Sequence, residues 1–127
     1  RFVDGEEVVP EGYTRAWNLL HEYEIPVIAL RDNPWFDYDV PHCVALRPSE
    51  ECVENKTRFY SQRNPLLATG LDDLTIVDLS DSYCPHGFCP AVLDGVLVYR
   101  DRHHLTKTFV LKNYFLVEDV LIDSGLL

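Results

Sequence analysis

The sequence predicts an α/β fold, in the form of part of a three-layer, doubly wound domain built on a parallel sheet. The short, continuous apolar run at residues 27–30 is typical of a strand buried on both faces, and residues 74–79 predict the next strand of the sheet. The elements follow the order helix, strand, helix, strand, hairpin, helix. This order matches the C-terminal half of such a fold, so we expect the N-terminal strands of the sheet to lie outside this chain.

The first helix is predicted between Pro10 and Tyr23. Pro10 suits a first helical turn, and Glu11 favours the positive end of the helix. Pro26 ends the helical pattern before the first strand. The apolar stripe of this helix consists of Tyr13, Trp17, Leu19 and Leu20.

The segment after the first strand, residues 31–48, is rich in proline and aromatic residues and predicts a loop. Functional sites in open parallel sheets gather at this carboxyl edge. Residues 50–60 predict a helix. Asn64-Pro65 begins another short helix, which ends at Gly70.

The C-terminal third begins with a predicted turn at residues 84–89. Residues 92–99, interrupted by Asp94-Gly95, predict a hairpin. A final helix is predicted from Leu105 to Asp123 and is ended by Gly125. Its buried stripe consists of Leu105, Phe109, Leu116 and Val120. Right-handed crossovers bring the ends of both sheet strands to one edge, where we also expect the loop of residues 101–104.

Composition limits the possible functions. An apolar fraction of 46% in 127 residues indicates one folded domain at most. The net charge of −10, with no cluster of Lys or Arg, argues against nucleic-acid partners and against binding to anionic membranes. The sequence shows no signal peptide and no apolar run near the roughly 18 residues that a membrane-spanning helix needs.

Asp101 and His104 form the candidate catalytic pair. A carboxylate three residues before a histidine, where a β-rich stretch gives way to a helix, can hold one imidazole nitrogen while the other acts as general base. The alternative is that Asp101 only caps the helix that follows, because Asp-x-x-His also occurs by chance.

Several motifs in a fixed order surround this pair. They are Val-Asp-Leu-Ser-Asp at 77–81, Cys-Pro-His-Gly-Phe-Cys-Pro-Ala at 84–91, the run 95–101 and His-Leu-Thr at 104–106, with two upstream segments at 25–34 and 39–43. Together they resemble the end of an SGNH-type (GDSL-like) hydrolase domain. More narrowly, the chain is similar to the SGNH domain fused to bacterial type-3 membrane acyltransferases, which O-acetylate cell-surface glycans.

The resemblance implies a flavodoxin-like sheet and a Ser-His-Asp triad with His104 as base and Asp101 as its orienting group. The family's serine lies in a Gly-Asp-Ser element, which this sequence lacks, so we expect the nucleophile outside this chain. Because the sequence begins at Arg1 and contains no methionine, we expect residues 1–127 to be the C-terminal portion of a single SGNH-type domain. Asn33 stands where relatives usually have Thr, so it is not assigned an oxyanion role. We expect no cofactor and no metal.

The four cysteines allow three disulfide connectivities, among which spacing does not choose. Similar extracytoplasmic domains carry pairs in these places, so the resemblance favours Cys43–Cys52 and Cys84–Cys89. Disulfides would place the domain in an oxidising compartment, periplasmic or at the cell surface, tethered to a membrane through the parent protein. The alternative is a zinc site, whose ligands would come from Cys84, His86, Cys89, His103 and His104.

Other residues near the motifs have two interpretations each. His103 is expected to be an exposed neighbour of the pair. Asp32 either hydrogen-bonds near the site or, as we favour, orders its loop, and Asp78 either belongs to the site or caps the turn that follows. Two roles would explain the aromatic residues of the loop: they form a platform that stacks on sugars, or they bury the loop against the sheet. These residues are Trp35, Phe36 and Tyr38.

Three functions remain open. The first is esterase or acyl-transfer chemistry on a cell-surface glycan or acylated carbohydrate, with a membrane acyltransferase domain in the same parent chain. The second is a non-catalytic accessory module that presents glycan to such an acyltransferase. The third is a small disulfide-stabilised extracellular domain of unrelated function.

Overall fold

The structure, a computed structural model, describes residues 2–3, 5–71 and 73–127. Its helices are α1 (Glu11–Glu22), α2 (Val40–Leu46), α3 (Ser80–Tyr83), α4 (Lys107–Asn113) and α5 (Phe115–Asp123). Its strands are β1 (Phe2–Val3), β2 (Glu6–Glu7), β3 (Val27–Leu30), β4 (Val53–Asn55), β5 (Leu74–Val77), β6 (Phe88–Pro90), β7 (Val92–Leu93) and β8 (Val96–Leu97). Within these described ranges, no helix is long and apolar enough to cross a bilayer.

Strands β3 and β5 form a parallel pair, in register from Val27 opposite Leu74 to Leu30 opposite Val77. This pair confirms both predicted strands and the α/β class. In the described part of the chain, every other strand belongs to a two-stranded antiparallel sheet. The wider doubly wound sheet therefore stays a prediction.

The prediction that the first strand is buried on both faces is wrong. Ala29 is 4% exposed, whereas Ile28 and Leu30 are 48% and 56% exposed. Successive side chains of a strand point to opposite faces, so one face of β3 packs inward and the other is open to solvent.

Helix α1 confirms the first predicted helix, but its apolar stripe is only partly covered. Trp17 and Leu20 are half-buried, whereas Tyr13 and Leu19 are exposed. The ring of Tyr13 lies 5.8 Å from that of Trp17.

The segment between the two sheet strands differs from prediction in two places. The predicted loop contains α2, which Asp39 caps by accepting a hydrogen bond from the His42 amide at 2.8 Å. The predicted helix over residues 50–60 is wrong: β4 lies there between 3-10 turns and pairs with β6, with Glu54 opposite Cys89. Long-range strand pairing here overrides local helix propensity. The short helix at Pro65–Ala68 forms as a 3-10 turn, with the Asn64 side chain as its cap.

Both predicted disulfides, Cys43–Cys52 and Cys84–Cys89, are present. All four thiols are therefore consumed, and the zinc alternative loses its cysteine ligands. Loops this short give about 2–3 kcal/mol of stabilisation per bridge in the chain-entropy account.

The hydrophobic core lies beneath the β7–β8 hairpin and is rich in aromatic rings. Phe36, from the loop after β3, contacts Phe59 and Tyr99 at ring-centroid distances of 5.0 and 4.9 Å. The loop after β3 is thus anchored in the core. The full cluster is Phe36, Val40, Cys52, Phe59, Tyr60, Tyr83, Cys84, Cys89, Ala91, Val98, Tyr99 and Phe109.

The C-terminal elements match prediction except in the last helix. The β7–β8 hairpin turns at Asp94 and Gly95, both with positive φ, as a type I′ turn requires. The final helix is interrupted at Tyr114, so it forms α4 and α5. Of its predicted buried stripe, Phe109 is fully buried, and Leu105, Leu116 and Val120 are half-buried.

We expect the protein to unfold at alkaline pH together with tyrosine ionisation. Burial raises the pKa of Tyr83 to about 12 and also raises the pKa values of Tyr60 and Tyr99. Because the folded pKa values exceed the unfolded value of about 10, this stabilisation is complete below pH ~10 and is lost as pH rises further. Phenolate absorbance and far-UV circular dichroism should change together. Ionisation of every tyrosine near pH 10 with unchanged dichroism would contradict the prediction.

Candidate active site

Asp101 and His104 are joined by a hydrogen bond between Oδ2 and Nδ1, at 2.7 Å. The other carboxylate oxygen, Oδ1, accepts hydrogen bonds from the backbone amides of His103 and His104, at 2.9 and 2.8 Å. The cap of the following helix α4 is Thr106, whose Oγ1 accepts from the Phe109 amide. Asp101 is therefore engaged with His104 and does not cap that helix.

The electrostatics of the pair leave one imidazole nitrogen available. The two backbone amides, followed by His104, hold the pKa of Asp101 well below its usual range. Because an ionised carboxylate can only accept, Nδ1 of neutral His104 carries the proton and Nε2 holds the lone pair. Nε2 has no hydrogen-bond partner among the described residues. This is the arrangement of a general base.

A tight loop presents the pair. The Arg100 amide donates to the His104 carbonyl at 2.9 Å, and Tyr99 forms an antiparallel bridge with Leu105. Tyr99 is fully buried, so the base of the loop is fixed in the core while its tip faces solvent.

The loop after β3 lies against the loop of residues 101–104. Asn33 Nδ2 donates to the His103 carbonyl at 2.6 Å, and the Phe36 amide donates to the Arg102 carbonyl at 2.9 Å. These bonds confirm that the 101–104 loop lies at the end of the strand. Asn33 ties the two loops together.

The three aromatic residues of this loop have different surroundings. Trp35 is 60% exposed and stacks on the His103 ring, with centroids 4.1 Å apart. Phe36 is buried and Tyr38 packs against the core. Loop burial thus accounts for Phe36 and Tyr38, and only Trp35 keeps a face for a ligand. The expectation that His103 is an exposed neighbour holds only in part: His103 adjoins the pair, but its side chain is half-buried, at 31% exposure, and contacts two rings.

The roles of the two other carboxylates also follow from the structure. Asp78 Oδ1 accepts from the Ser80 amide at 2.9 Å, which confirms the turn-capping interpretation. Asp32 accepts from the amide of Asn33 through its side chain, and its carbonyl accepts from the Tyr60 hydroxyl at 2.9 Å. Asp32 therefore orders the loop.

Sequence reasoning missed a buried ion network behind the site. Arg31 is 6% exposed and donates to the Glu7 carboxylate, to Asp78 Oδ2 at 2.9 Å and to the Ser61 carbonyl at 2.9 Å. Its guanidinium also lies 4.7 Å from the centre of the Tyr60 ring. The sequence feature that could have indicated this network is an arginine directly after an apolar strand.

Asp101, His103 and His104 are the group in the described part of the chain that could offer three metal ligands, with the ligand atoms all within 4.8 Å of one another. The Oδ2 to Nδ1 separation in this group is that of a hydrogen bond, and Asp101 Oδ1 already accepts two amides. In this structure these atoms are therefore already hydrogen-bonded to one another and to the backbone.

No serine hydroxyl within residues 5–71 and 73–127 is hydrogen-bonded to His104. Ser61 Oγ accepts from the Glu7 amide, Ser124 Oγ donates to the Leu121 carbonyl, and Ser80 is buried. The base and its orienting carboxylate are thus present without a bonded nucleophile.

The family model described as SGNH domain (fused to AT3 domains) matches residues 4–112. The chain belongs to this family. Comparisons with curated proteins and with solved structures give no match. Membership confirms the resemblance seen in the sequence and makes this SGNH domain an esterase- or acyltransferase-type module. Its two disulfides fit an extracytoplasmic location.

Proposed function

We propose that this SGNH domain acts outside the cytoplasm in O-acyl (acetyl) transfer or ester hydrolysis on cell-surface glycans. It contributes Asp101 and His104 of a Ser-His-Asp triad whose serine lies outside this chain. The observation that carries the proposal is the 2.7 Å bond between Asp101 Oδ2 and His104 Nδ1, which leaves Nε2 without a hydrogen-bond partner among the described residues.

The mechanism follows from this geometry. His104 Nε2 takes the proton of the serine hydroxyl as the serine oxygen attacks the acyl carbonyl, and Asp101 stabilises the imidazolium that forms. His104 then returns the proton to the leaving oxygen, which departs and leaves an acyl-serine. In the second half, His104 deprotonates a sugar hydroxyl (transfer) or a water molecule (hydrolysis). That oxygen attacks the acyl-serine, and the proton goes back to the serine.

The fusion named in the family description supports a membrane acyltransferase domain in the parent chain, and thereby a membrane tether. A carbohydrate substrate is supported by Trp35, whose exposed aromatic face could pack against the C–H face of a sugar ring. No cofactor enters the proposed chemistry.

We also propose that residues 1–127 are the C-terminal portion of one SGNH-type domain with a doubly wound sheet. The parallel β3–β5 pair supports this, and the open face of β3, where Ile28 and Leu30 are exposed, is where a helical layer of such a fold would pack. Further strands of the sheet would extend the β3–β5 pair.

A second candidate function is that of a non-catalytic module that presents glycan to a membrane acyltransferase. The lack of a serine bonded to His104 in the described residues favours it. The two functions differ in whether His104 is needed for chemistry.

The chain alone should show no serine-esterase activity. A triad without its nucleophile cannot form an acyl-enzyme, so hydrolysis of p-nitrophenyl acetate should not exceed that of free imidazole at equal concentration. The longer protein with the Gly-Asp-Ser element should show turnover that a serine-directed covalent reagent abolishes. Reagent-sensitive turnover by the chain alone would place the nucleophile among its own serines. Absence of activity in the longer protein would favour the accessory module.

A further inference from the structure

Three aromatic rings follow one another at the candidate active site. The Trp35 indole stacks on the His103 imidazole, with centroids 4.1 Å apart and planes 21° from parallel. The His103 ring in turn lies 4.0 Å from the His104 ring, at an interplanar angle of 37°. His103 therefore lies between an exposed indole and the candidate base.

The His104 ring needs support beyond its bond to Asp101. Its side chain is 54% exposed, and a hydrogen bond to a single nitrogen leaves the ring free to turn about the line between the two bonded atoms. A single hydrogen bond at an exposed position contributes little to fixing a side chain, because water competes for both partners.

Trp35 is held well enough to provide that support, despite its own exposure. Its neighbours Pro34 and Phe36 are both buried, so the backbone on either side of the indole is anchored. The Asn33 side chain and the Phe36 amide bond the backbone of the loop of residues 101–104 at His103 and Arg102. The indole and the imidazole are thus brought together by two loops that are tied to each other.

We propose that Trp35 and His103 are positioning residues, whose ring stack holds the His104 imidazole in the orientation that bonds Asp101. Stacked aromatic rings stabilise each other beyond the area they bury. The catalytic consequence rests on the proposed role of His104 as general base, whereas the effect on ring orientation does not.

The structural test is nitrogen-15 NMR of the histidine rings in the 127-residue chain. In the unaltered protein, His104 should be in the Nδ1–H tautomer with one side-chain rotamer. In His103→Ala and Trp35→Ala, we expect a mixture of tautomers and averaged rotamers at His104. His103→Phe keeps a ring in the stack and should restore the single state. His42→Ala, at an exposed helical position, is the matched control and should leave His104 unchanged.

The kinetic test uses the longer protein that carries the serine. His103→Ala and Trp35→Ala should each lower kcat about tenfold, equivalent to about 1.4 kcal/mol, with KM unchanged. His103→Phe should recover most of the rate. Circular dichroism on each variant establishes that the fold is intact.

Two results would overturn the proposal. One is a His104 ring state that does not change in His103→Ala and Trp35→Ala. The other is a rise in KM without a fall in kcat, which would make Trp35 a glycan contact. Retained activity in His104→Ala would instead refute the proposed function, and the NMR spectra alone would then decide whether the stack positions the ring.

Discussion

Replacing His104 with alanine should abolish acyl chemistry in the protein that carries the nucleophile. Removal of a triad member costs on the order of 10⁴-fold or more in rate. The loss should appear in kcat, because His104 moves a proton in the transition state. Acetyl release or transfer is the measurement, with circular dichroism as the check on folding. His103→Ala is the adjacent comparison and should cost only about tenfold, as expected of a positioning residue.

Two outcomes would count against this assignment. If His103→Ala is the inactive variant and His104→Ala keeps its rate, the catalytic histidine is His103 and the motif assignment is wrong by one residue. If both variants stay active, the domain acts as an accessory module.

The pH dependence of the same reaction separates the two partners of the pair. The Asp101 pKa lies below the ordinary value of about 3.9. The contribution of its carboxylate is therefore complete above pH ~4 and is lost only as pH falls further. A loss of kcat at mildly acidic pH is therefore not due to protonation of Asp101, and Asp101→Asn should lower the rate at every pH while leaving any such loss in place.

The sequence predicted the elements whose signals are local. The Asp94-Gly95 turn, the strand predicted at 74–79 and observed as Leu74–Val77, and the pair Asp101–His104 each depend on residues within a few positions of one another, and each appears in the structure. The disulfide pairing came from the family resemblance, because spacing alone allowed three connectivities.

The elements missed depend on long-range contacts. Strand β4 forms because it pairs with β6. Whether each face of β3 is buried depends on which elements pack over the sheet, and the residues of the strand itself do not specify them. At the site, the sequence could not indicate that His103 would stack on Trp35, since the two residues are far apart in the chain. The Arg31–Glu7 pair was missed for the same reason.

Replacing Arg31 with methionine should destabilise the chain by about 3–5 kcal/mol, because removing one partner leaves the other charge buried and unpaired. The Glu7 side chain, at 5% exposure, would keep its carboxylate away from water without the guanidinium, and Asp78 would lose one of its donors. Because methionine retains most of the apolar stem of arginine, the loss of unfolding free energy reports mainly the removal of the guanidinium charge. Urea denaturation of the 127-residue chain gives the free energy of unfolding.

Two further variants show whether the unpaired carboxylate is the cause. Arg58→Met breaks the pairs with Glu54 and Asp37 at a site where the Arg58 side chain is 46% exposed, so it should cost at most about 1 kcal/mol. The double variant Glu7→Gln/Arg31→Met removes the buried charge as well and should recover a large part of the stability, because an amide tolerates burial better than an unpaired carboxylate. If Arg31→Met costs no more than Arg58→Met, or if the double variant is less stable than Arg31→Met alone, the network does not stabilise the fold through its charges. Because Arg31 directly follows β3 and stacks on Tyr60, whose hydroxyl donates to the Asp32 carbonyl, the same network supports the loop that carries Trp35 to His103.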